Sequence, residues 1–289
     1  MDLVYFYRHI QPGEVNSRHA TEELRYSLRS MAEHYAELGE VHVFGGRAPW
    51  FSEHVHHYPV RQAYQKHENT WRVWRQIASA AAAGYLPDEF LIMNDDYFLM
   101  RPWVGPVPDY VSGFLSEWVA QRAQSRNIAD AVGRTQAMIE ALGGPARNAQ
   151  LGYELHVPLR VHGPTLAAVW PDMERWTKGG RITHRIAKRS AYGNLAGARH
   201  EVELMPVDCK VIKSGDSIPD GPWLSTSDDA FAFRNTHEVG RVIRAAFPRR
   251  CRFEALASDT VIEQRTVRNG TPAARRVAPR SWTGTPRRA

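Results

Sequence analysis

Phe90-Leu91-Ile92-Met93-Asn94-Asp95-Asp96 is the stretch on which the reading of the fold turns. Four apolar residues in an unbroken run suit a strand covered on both faces, because a strand with one wet face alternates. Two carboxylates follow directly. In open α/β sheets ligands bind beyond the carboxyl ends of the strands, so acids placed there meet ligand. Adjacent residues project to opposite sides, so one aspartate faces the site and the other supports it. Hard divalent cations such as Mg²⁺ use one or two carboxylates plus substrate phosphates, which makes Asp95 and Asp96 candidate metal ligands and catalytic residues. The alternative for such a pair is a capped turn with solvated acids.

Working outward, residues 2–7 read as a short buried strand. A helix opens at Thr21-Glu22-Glu23-Leu24, with Thr21 as N-cap and acids in the first turn. Leu24, Leu28, Met31 and Tyr35 then recur at helical spacing as far as Gly39. Residues 41–44 form a second strand, and strand, helix, strand within about 45 residues is the pattern of a parallel α/β unit. Residues 55–60 suggest a third strand, and 71–83 a helix with Trp71, Trp74, Ala78 and Ala82 on one side. Helices are predicted over 110–121 and 128–142. Beyond Tyr153 the chain reads as loop-rich, with short strands near 203–205 and 210–212 and a last helix over 238–247. The expectation is an α/β chain over residues 1–257, with a mostly parallel sheet and a loop-rich C-terminal half.

Composition narrows the class. The chain has 289 residues, 43% of them hydrophobic and 24% charged, as in ordinary soluble domains. No run approaches the roughly 18 apolar residues of a membrane span. Met1-Asp2-Leu3-Val4-Tyr5 carries an acid where a signal peptide carries base. Cys209 and Cys251 form no metal or redox motif and fit a reducing cytoplasm, the expected location; a bridge between them is the alternative. The net charge of +6 is concentrated at the end: residues 265–289 hold seven arginines, three prolines and no acid. Residues 258–289 therefore read as a disordered basic tail, either a solubilising extension or a tether to nucleic acid or another anionic surface. There is no Walker A loop, Gly-x-Gly-x-x-Gly or Gly-x-Ser-x-Gly, which argues against P-loop kinases, common dinucleotide dehydrogenases and α/β-hydrolases.

Four further clusters carry chemistry. Ser225-Thr226-Ser227-Asp228-Asp229 is a second acidic group; it either converges with Asp95-Asp96 on a metal–phosphate centre or caps a helix start. In Tyr153-Glu154-Leu155-His156-Val157-Pro158, alternation puts Glu154 and His156 on one face, and a histidine there can take a proton from an attacking hydroxyl. The other reading is a buried histidine bonded to a carbonyl. Residues 184–194 are basic with a Gly turn; Arg189 can clamp phosphate oxygens, or the stretch is a solvated face. His54 and His56 share a strand face, but no third ligand follows at diagnostic spacing, so His54, His56 and His57 read as surface histidines.

Taken together these residues resemble the Stealth family, sugar-1-phosphate transferases of capsule synthesis with relatives in the lysosomal N-acetylglucosamine-phosphotransferase. Glu23-Leu24-Arg25-Tyr26-Ser27-Leu28-Arg29-Ser30, followed by Met93-Asn94-Asp95-Asp96-Tyr97-Phe98, is similar to the family's second block. Asp2-Leu3-Val4-Tyr5 resembles the start of the first, Glu154-Leu155-His156-Val157-Pro158 the third and Ser227-Asp228-Asp229 the fourth, in conserved order. The first block continues Trp-Val-Asp-Gly where this chain reads Phe6-Tyr7-Arg8-His9. The chain also looks like actinobacterial and phage proteins labelled glycosyltransferases.

The resemblance implies an α/β nucleotide-sugar fold with a single Rossmann-like core, a nucleotide sugar donor held by Mg²⁺ or Mn²⁺, and a hydroxyl-bearing acceptor such as a glycan, a protein or modified nucleic acid. Asp95 and Asp96 would serve the metal-diphosphate or the acceptor, His156 would be the general base, and Arg189 a phosphate clamp. Asp228 and Asp229 would form a second acidic wall. Asn94, Glu154 and Asn194 would bind substrate. Arg25 and Arg29, four apart on one helix face, would reach the diphosphate; the alternative is salt bridging to Glu22 and Glu33. The implied reaction moves a sugar-1-phosphate to the acceptor. Transfer of the sugar alone with release of a nucleoside diphosphate, and non-catalytic carbohydrate or nucleotide binding, are the alternatives.

Overall fold

The computed structural model describes residues 1–7, 20–60, 66–121, 126–178, 186–197, 199, 201–205, 208–211, 217–227 and 238–255. The chain runs through β1 (Asp2–Tyr7), α1 (Ala20–His34), β2 (Val41–Gly45), β3 (Val55–Pro59), α2 (Lys66–Ala82), β4 (Glu89–Asn94), β5 (Tyr97–Leu99) and β6 (Asp109–Val111). It continues through α3 (Leu115–Gln121), α4 (Arg126–Ala141), β7 (Leu159–His162), α5 (Gly163–Lys178), α6 (Lys188–Ala196), β8 (Val202–Leu204), β9 (Lys210–Val211), β10 (Trp223–Thr226) and α7 (Glu238–Ala246). Five strands form the main sheet in the order β3-β2-β1-β4-β7. The first four are parallel and β7 closes the edge antiparallel to β4.

Both faces of this sheet are covered, which is why β1 and β4 read as unbroken apolar runs. Leu3, Tyr5 and Tyr7 of β1 and Leu91 and Met93 of β4 pack with Leu24, Leu28 and Met31 of α1. The intervening residues Val4, Phe90 and Ile92 pack on the other face with Trp71, Trp74 and Ile77 of α2 and Leu166, Trp170 and Met173 of α5. Each large side chain so buried stabilises the fold by roughly 1.5–3 kcal/mol. The result is a three-layer Rossmann-like core. A second sheet, β5-β10-β9, carries α7 through Phe98, Leu224, Ile243 and Phe247.

The winding reverses at β1. The chain passes from β1 to β2 on one side, and from β3 across to β4 on the other. Such a switch point leaves a crevice at the carboxyl ends of the strands. The register sets Tyr7 opposite Gly45 and Phe6 opposite Asn94 at that edge.

Several local expectations change. Helix α1 starts at Ala20, so Thr21 lies inside its first turn. Residues 109–111 are a strand, not a helix start, because they pair with β8 in register Asp109↔Val202; the helix begins at Leu115. Two helices occupy the region read as loop. Pro164 sits in the first turn of α5, where no backbone N–H is needed. Pro171 lies inside that helix, which persists because Leu166, Trp170 and Met173 are buried. Gly193 lies within α6, where a Cβ would come 2.6 Å from the Tyr153 ring, so the glycine marks close packing instead of a turn. Ser225 and Thr226 belong to β10, between β5 and β9, and do not begin a helix. Among the described residues no helix is long and apolar enough to cross a membrane. The basic tail, Asp228 and Asp229 lie outside the described residues.

Gly45 ends β2 at φ +131°, and a Cβ there would lie 1.9 Å from the Tyr7 carbonyl oxygen. Gly45→Ala is expected to lower the unfolding free energy by roughly 2–4 kcal/mol, read from urea denaturation. An unchanged midpoint would show that the β1–β2 edge yields easily.

Candidate functional site

A cavity of about 350 Å³ opens at the carboxyl ends of β1, β2 and β4. Phe6, Tyr7 and Gly45 form one side, and Asn94 and Asp95 stand at the end of β4. Val73 and Trp74 of α2 supply an apolar wall, with Phe6 and Trp74 edge to face at 5.8 Å. The opposite wall comes from Glu154, Leu155 and His156 and from Lys188 and Arg189 in the first turn of α6.

The structure separates the two aspartates. Asp95 lines the cavity, and its charge adds to the burial that raises the Tyr7 phenol above its ordinary pKa. Asp96 turns the other way. Its Oδ2 accepts from Lys210 Nζ at 3.2 Å and Ser225 Oγ at 3.0 Å, tying the turn to the second sheet. Helix α1 clasps the strand beyond. Ser27 Oγ donates to the Tyr97 carbonyl, and Ser30 Oγ accepts from Leu99 N at 3.0 Å. Thr226 Oγ1 donates to Glu23 Oε1 at 3.0 Å. Residues 23–30 and 94–98, distant in sequence, are therefore one structural unit.

His156 is half of a dyad. Its Nδ1 lies 2.6 Å from Asp208 Oδ2, and its backbone N–H donates to Asp208 Oδ1 at 3.1 Å. A carboxylate on Nδ1 sets the tautomer that leaves Nε2 as the proton acceptor. No local spacing singled out Asp208, which stands 52 residues beyond His156; the only signal was an acid just ahead of a short predicted strand. Lys188 was likewise missed as an individual. Burial pushes its ammonium down to about 8, against the opposing charge of Glu154, and its Nζ sits 5.6 Å over the Trp71 ring.

Arg189 frames the wall as well as lining it. Its Nε donates to the Tyr153 carbonyl at 3.0 Å, Nη1 to Tyr97 Oη at 3.1 Å and Nη2 to the Val157 carbonyl. Tyr97 Oη also accepts from Asn94 Nδ2 at 3.0 Å. Glu154 Oε1 accepts from Ser190 N at 3.0 Å and so caps α6.

Three predicted site residues are placed elsewhere. Arg29 makes a two-point pair with Glu254, at 2.6 and 2.8 Å, and also donates to the Phe247 carbonyl at 3.2 Å. Arg25 lies 3.3 Å from the same carboxylate and stacks over Trp50 at 4.9 Å. Neither lines the cavity, and the carboxylate that both meet is Glu254, not an acid of their own helix. The reason is Glu254, whose side chain is 2% exposed and requires cationic partners. Asn194 is spent on the backbone, accepting from Leu151 N and donating to the Leu151 and Ser190 carbonyls at 2.8 Å each.

For a divalent cation, the cavity is lined by the hard carboxylate oxygens of Asp95 and Glu154, while Asp96 turns to Lys210. One carboxylate plus ligand phosphates and water is a shell that Mg²⁺ or Mn²⁺ accepts, so the residues fit such an ion. Among the described residues, a group of three close-set potential ligands lies elsewhere: Asp2, Glu40 and His42, at the amino ends of β1 and β2.

No protein-family model matches this chain, and no curated protein matches it. Among solved structures it is similar to the apo-form glycosyltransferase GlyE of Streptococcus pneumoniae TIGR4, with a TM-score of 0.42 and 9% identity. The alignment covers 92% of this chain and 63% of that one, so the chain spans less than two thirds of its length.

Replacing Arg29 with Met is expected to cost roughly 3 kcal/mol of stability in urea denaturation, because Glu254 loses its two-point partner. Binding of inorganic pyrophosphate by the folded variant should be unchanged. Intact stability with lost pyrophosphate binding would return Arg29 to the ligand.

Proposed function

We propose that the chain is a nucleotide-sugar-dependent transferase that delivers a sugar-1-phosphate to an acceptor hydroxyl. The observation that carries this reading is the meeting, across one cavity, of the Asp95 carboxylate from the end of β4 with the His156–Asp208 dyad. The volume falls in the range of small-ligand sites. Lys188 and Arg189 supply positive charge on the same wall, as a diphosphate requires.

The donor lies along the aromatic side of the cavity, against Phe6, Tyr7 and Trp74, with its phosphates toward Lys188 and Arg189. Asp95 is the residue that would hold Mg²⁺ or Mn²⁺, and the ion, when bound, supplies charge neutralisation at the diphosphate. Asp96 holds the Asp95 turn through Lys210 and Ser225. His156 Nε2 takes the acceptor proton as the acceptor oxygen bonds to the phosphorus that bears the sugar. The bond from that phosphorus to the bridging oxygen breaks, and a nucleoside monophosphate leaves. Asp208 stabilises the imidazolium until its proton passes to solvent. Positioning and charge neutralisation supply most of the acceleration in such transfers.

A second reading moves the sugar alone. The acceptor oxygen then attacks the anomeric carbon and a nucleoside diphosphate leaves. It is favoured by the wall at the end of β1, where Phe6 and Tyr7 stand in place of the Trp-Val of the Stealth first block; Arg8 and His9 lie outside the described residues.

The test is product identity. The full chain with Mg²⁺ or Mn²⁺ is given a panel of nucleotide sugars and acceptors, and the released nucleotides are separated. A monophosphate supports the proposal, and a diphosphate replaces it with the second reading. Tight nucleotide binding without release across the panel would leave a carbohydrate- or nucleotide-binding protein.

Two variants probe the wall. Asp208→Asn is expected to lower kcat about 100-fold or more with little change in KM, since it removes the charge that supports the imidazolium. Equal kcat would dismiss the dyad. Affinity for a nucleoside diphosphate should fall as pH rises through about 8, where the Lys188 ammonium loses its proton. Lys188→Arg should flatten that dependence in calorimetric titrations; a profile that keeps its inflection assigns it to another group.

A further inference from the structure

We propose that Asp2, Glu40, His42 and His56 form a binding site for a divalent cation of the Zn²⁺ class, at the amino-terminal edge of the sheet. This edge is opposite the cavity: Asp2 and Tyr7 are the two ends of β1, about 16 Å apart at the usual strand rise. The inference is independent of the transferase reading.

The ligand atoms of Asp2, Glu40 and His42 all lie within 4.8 Å of one another. His42 Nε2 is 3.3 Å from Asp2 Oδ2, and His56 Nε2 is 3.0 Å from Glu40 Oε2. A tetrahedral ion with metal–ligand bonds near 2.0–2.1 Å spaces its ligands by about 3.3 Å, so Asp2 and His42 need little adjustment, while His56, outside the close-set group of three, joins by swinging its half-exposed ring beside Glu40. Sequence spacing alone offered no third ligand for His56, because the set is assembled by strand pairing. Residues 42 and 56 are register partners on β2 and β3, and their rings stack at 4.9 Å and 22°.

The surroundings hold the groups in place. Asp2 Oδ1 accepts from Glu40 N at 3.0 Å, which leaves Oδ2 turned to His42. Gly39 makes room for that carboxylate, since a Cβ there would lie 2.1 Å from Asp2 Oδ1. His42, only 4% exposed, has its Nδ1 3.3 Å from Tyr58 Oη, whose hydroxyl donates to the Tyr85 carbonyl at 3.5 Å. An outer partner on Nδ1 fixes a ligating imidazole with Nε2 toward the ion. Two imidazoles and two carboxylates select a borderline cation such as Zn²⁺ over Mg²⁺ or Ca²⁺, and the pair of negative charges matches its charge. The ion would tie β1, β2 and β3 together at the end where their side chains are most polar.

The experiment uses the untagged full chain, stripped with a chelator and titrated with ZnCl₂ in calorimetry and thermal unfolding. One tight Zn²⁺ per chain and a raised Tm are expected, with Co²⁺ giving the visible absorption of a four-coordinate site. His42→Asn and His56→Asn should each weaken Zn²⁺ binding at least about 10-fold. His54→Asn and Asp95→Asn should leave it unchanged. His42 is buried, so the half-exposed His56 decides the matter if the His42 variant does not fold. Absence of Zn²⁺ binding, wild-type affinity in His56→Asn, or affinity lost only in Asp95→Asn overturns the proposal.

Discussion

The in-register pairing of β1 between β2 and β4 is the constraint on which the rest depends. It occupies the backbone donors and acceptors of the central strand and buries side chains on both faces, so its position admits little variation. Because the winding reverses there, the same pairing brings the end of β4 next to the end of β1 and opens the crevice between them. Asp95 reaches the cavity because Asn94 is opposite Phe6; a slip of one residue would turn it to the other face.

A crevice is only half a site, and the other half comes from chain far downstream. The segment around Glu154 and His156 is held by α6: Ser190 Oγ accepts from Tyr153 N at 3.0 Å, Glu154 caps the helix, and Arg189 bonds two carbonyls of the segment. Gly193 lets α6 approach the Tyr153 ring closely. These bonds explain why a stretch without strand or helix pairing still presents His156 in a defined place. Asp208 then orients the imidazole from a third segment. The wall is rigid because each member has more than one partner, which is what a positioned proton acceptor requires.

Charge is partitioned by burial. Arg25 and Arg29 look like phosphate-binding residues by type and spacing, yet a nearly inaccessible Glu254 takes both, and that pairing fastens the C-terminal segment to α1. Arg189 donates to two carbonyls and to Tyr97 Oη, neutral partners that hold the guanidinium on the cavity wall. The two ends of the sheet differ in the same way. The carboxyl edge sets Asp95 and Glu154 beside Lys188 and Arg189 and suits an anionic ligand, whereas the amino edge combines acids with imidazoles and has no such cations among its close-set groups.

The strand–helix–strand opening, the buried β4 with the aspartates that follow it and the α1 and α2 core faces are legible in the order of residues alone. Periodicity and unbroken apolar runs report local burial directly. Glu154 and His156 both line the cavity, but so does Leu155 between them, because residues 155–157 bend and do not alternate as a strand. Folding in three dimensions sets Asp95 and Asp96 on different partners, brings Asp208 to His156, and commits Arg25, Arg29 and Asn194 to the framework. It likewise decided that α5 persists through Pro171 and that Ser225 and Thr226 form a strand. Those outcomes depend on groups far apart along the chain. Hydrogen bonds and ion pairs between such groups follow from packing, and no local pattern of residues encodes their partners.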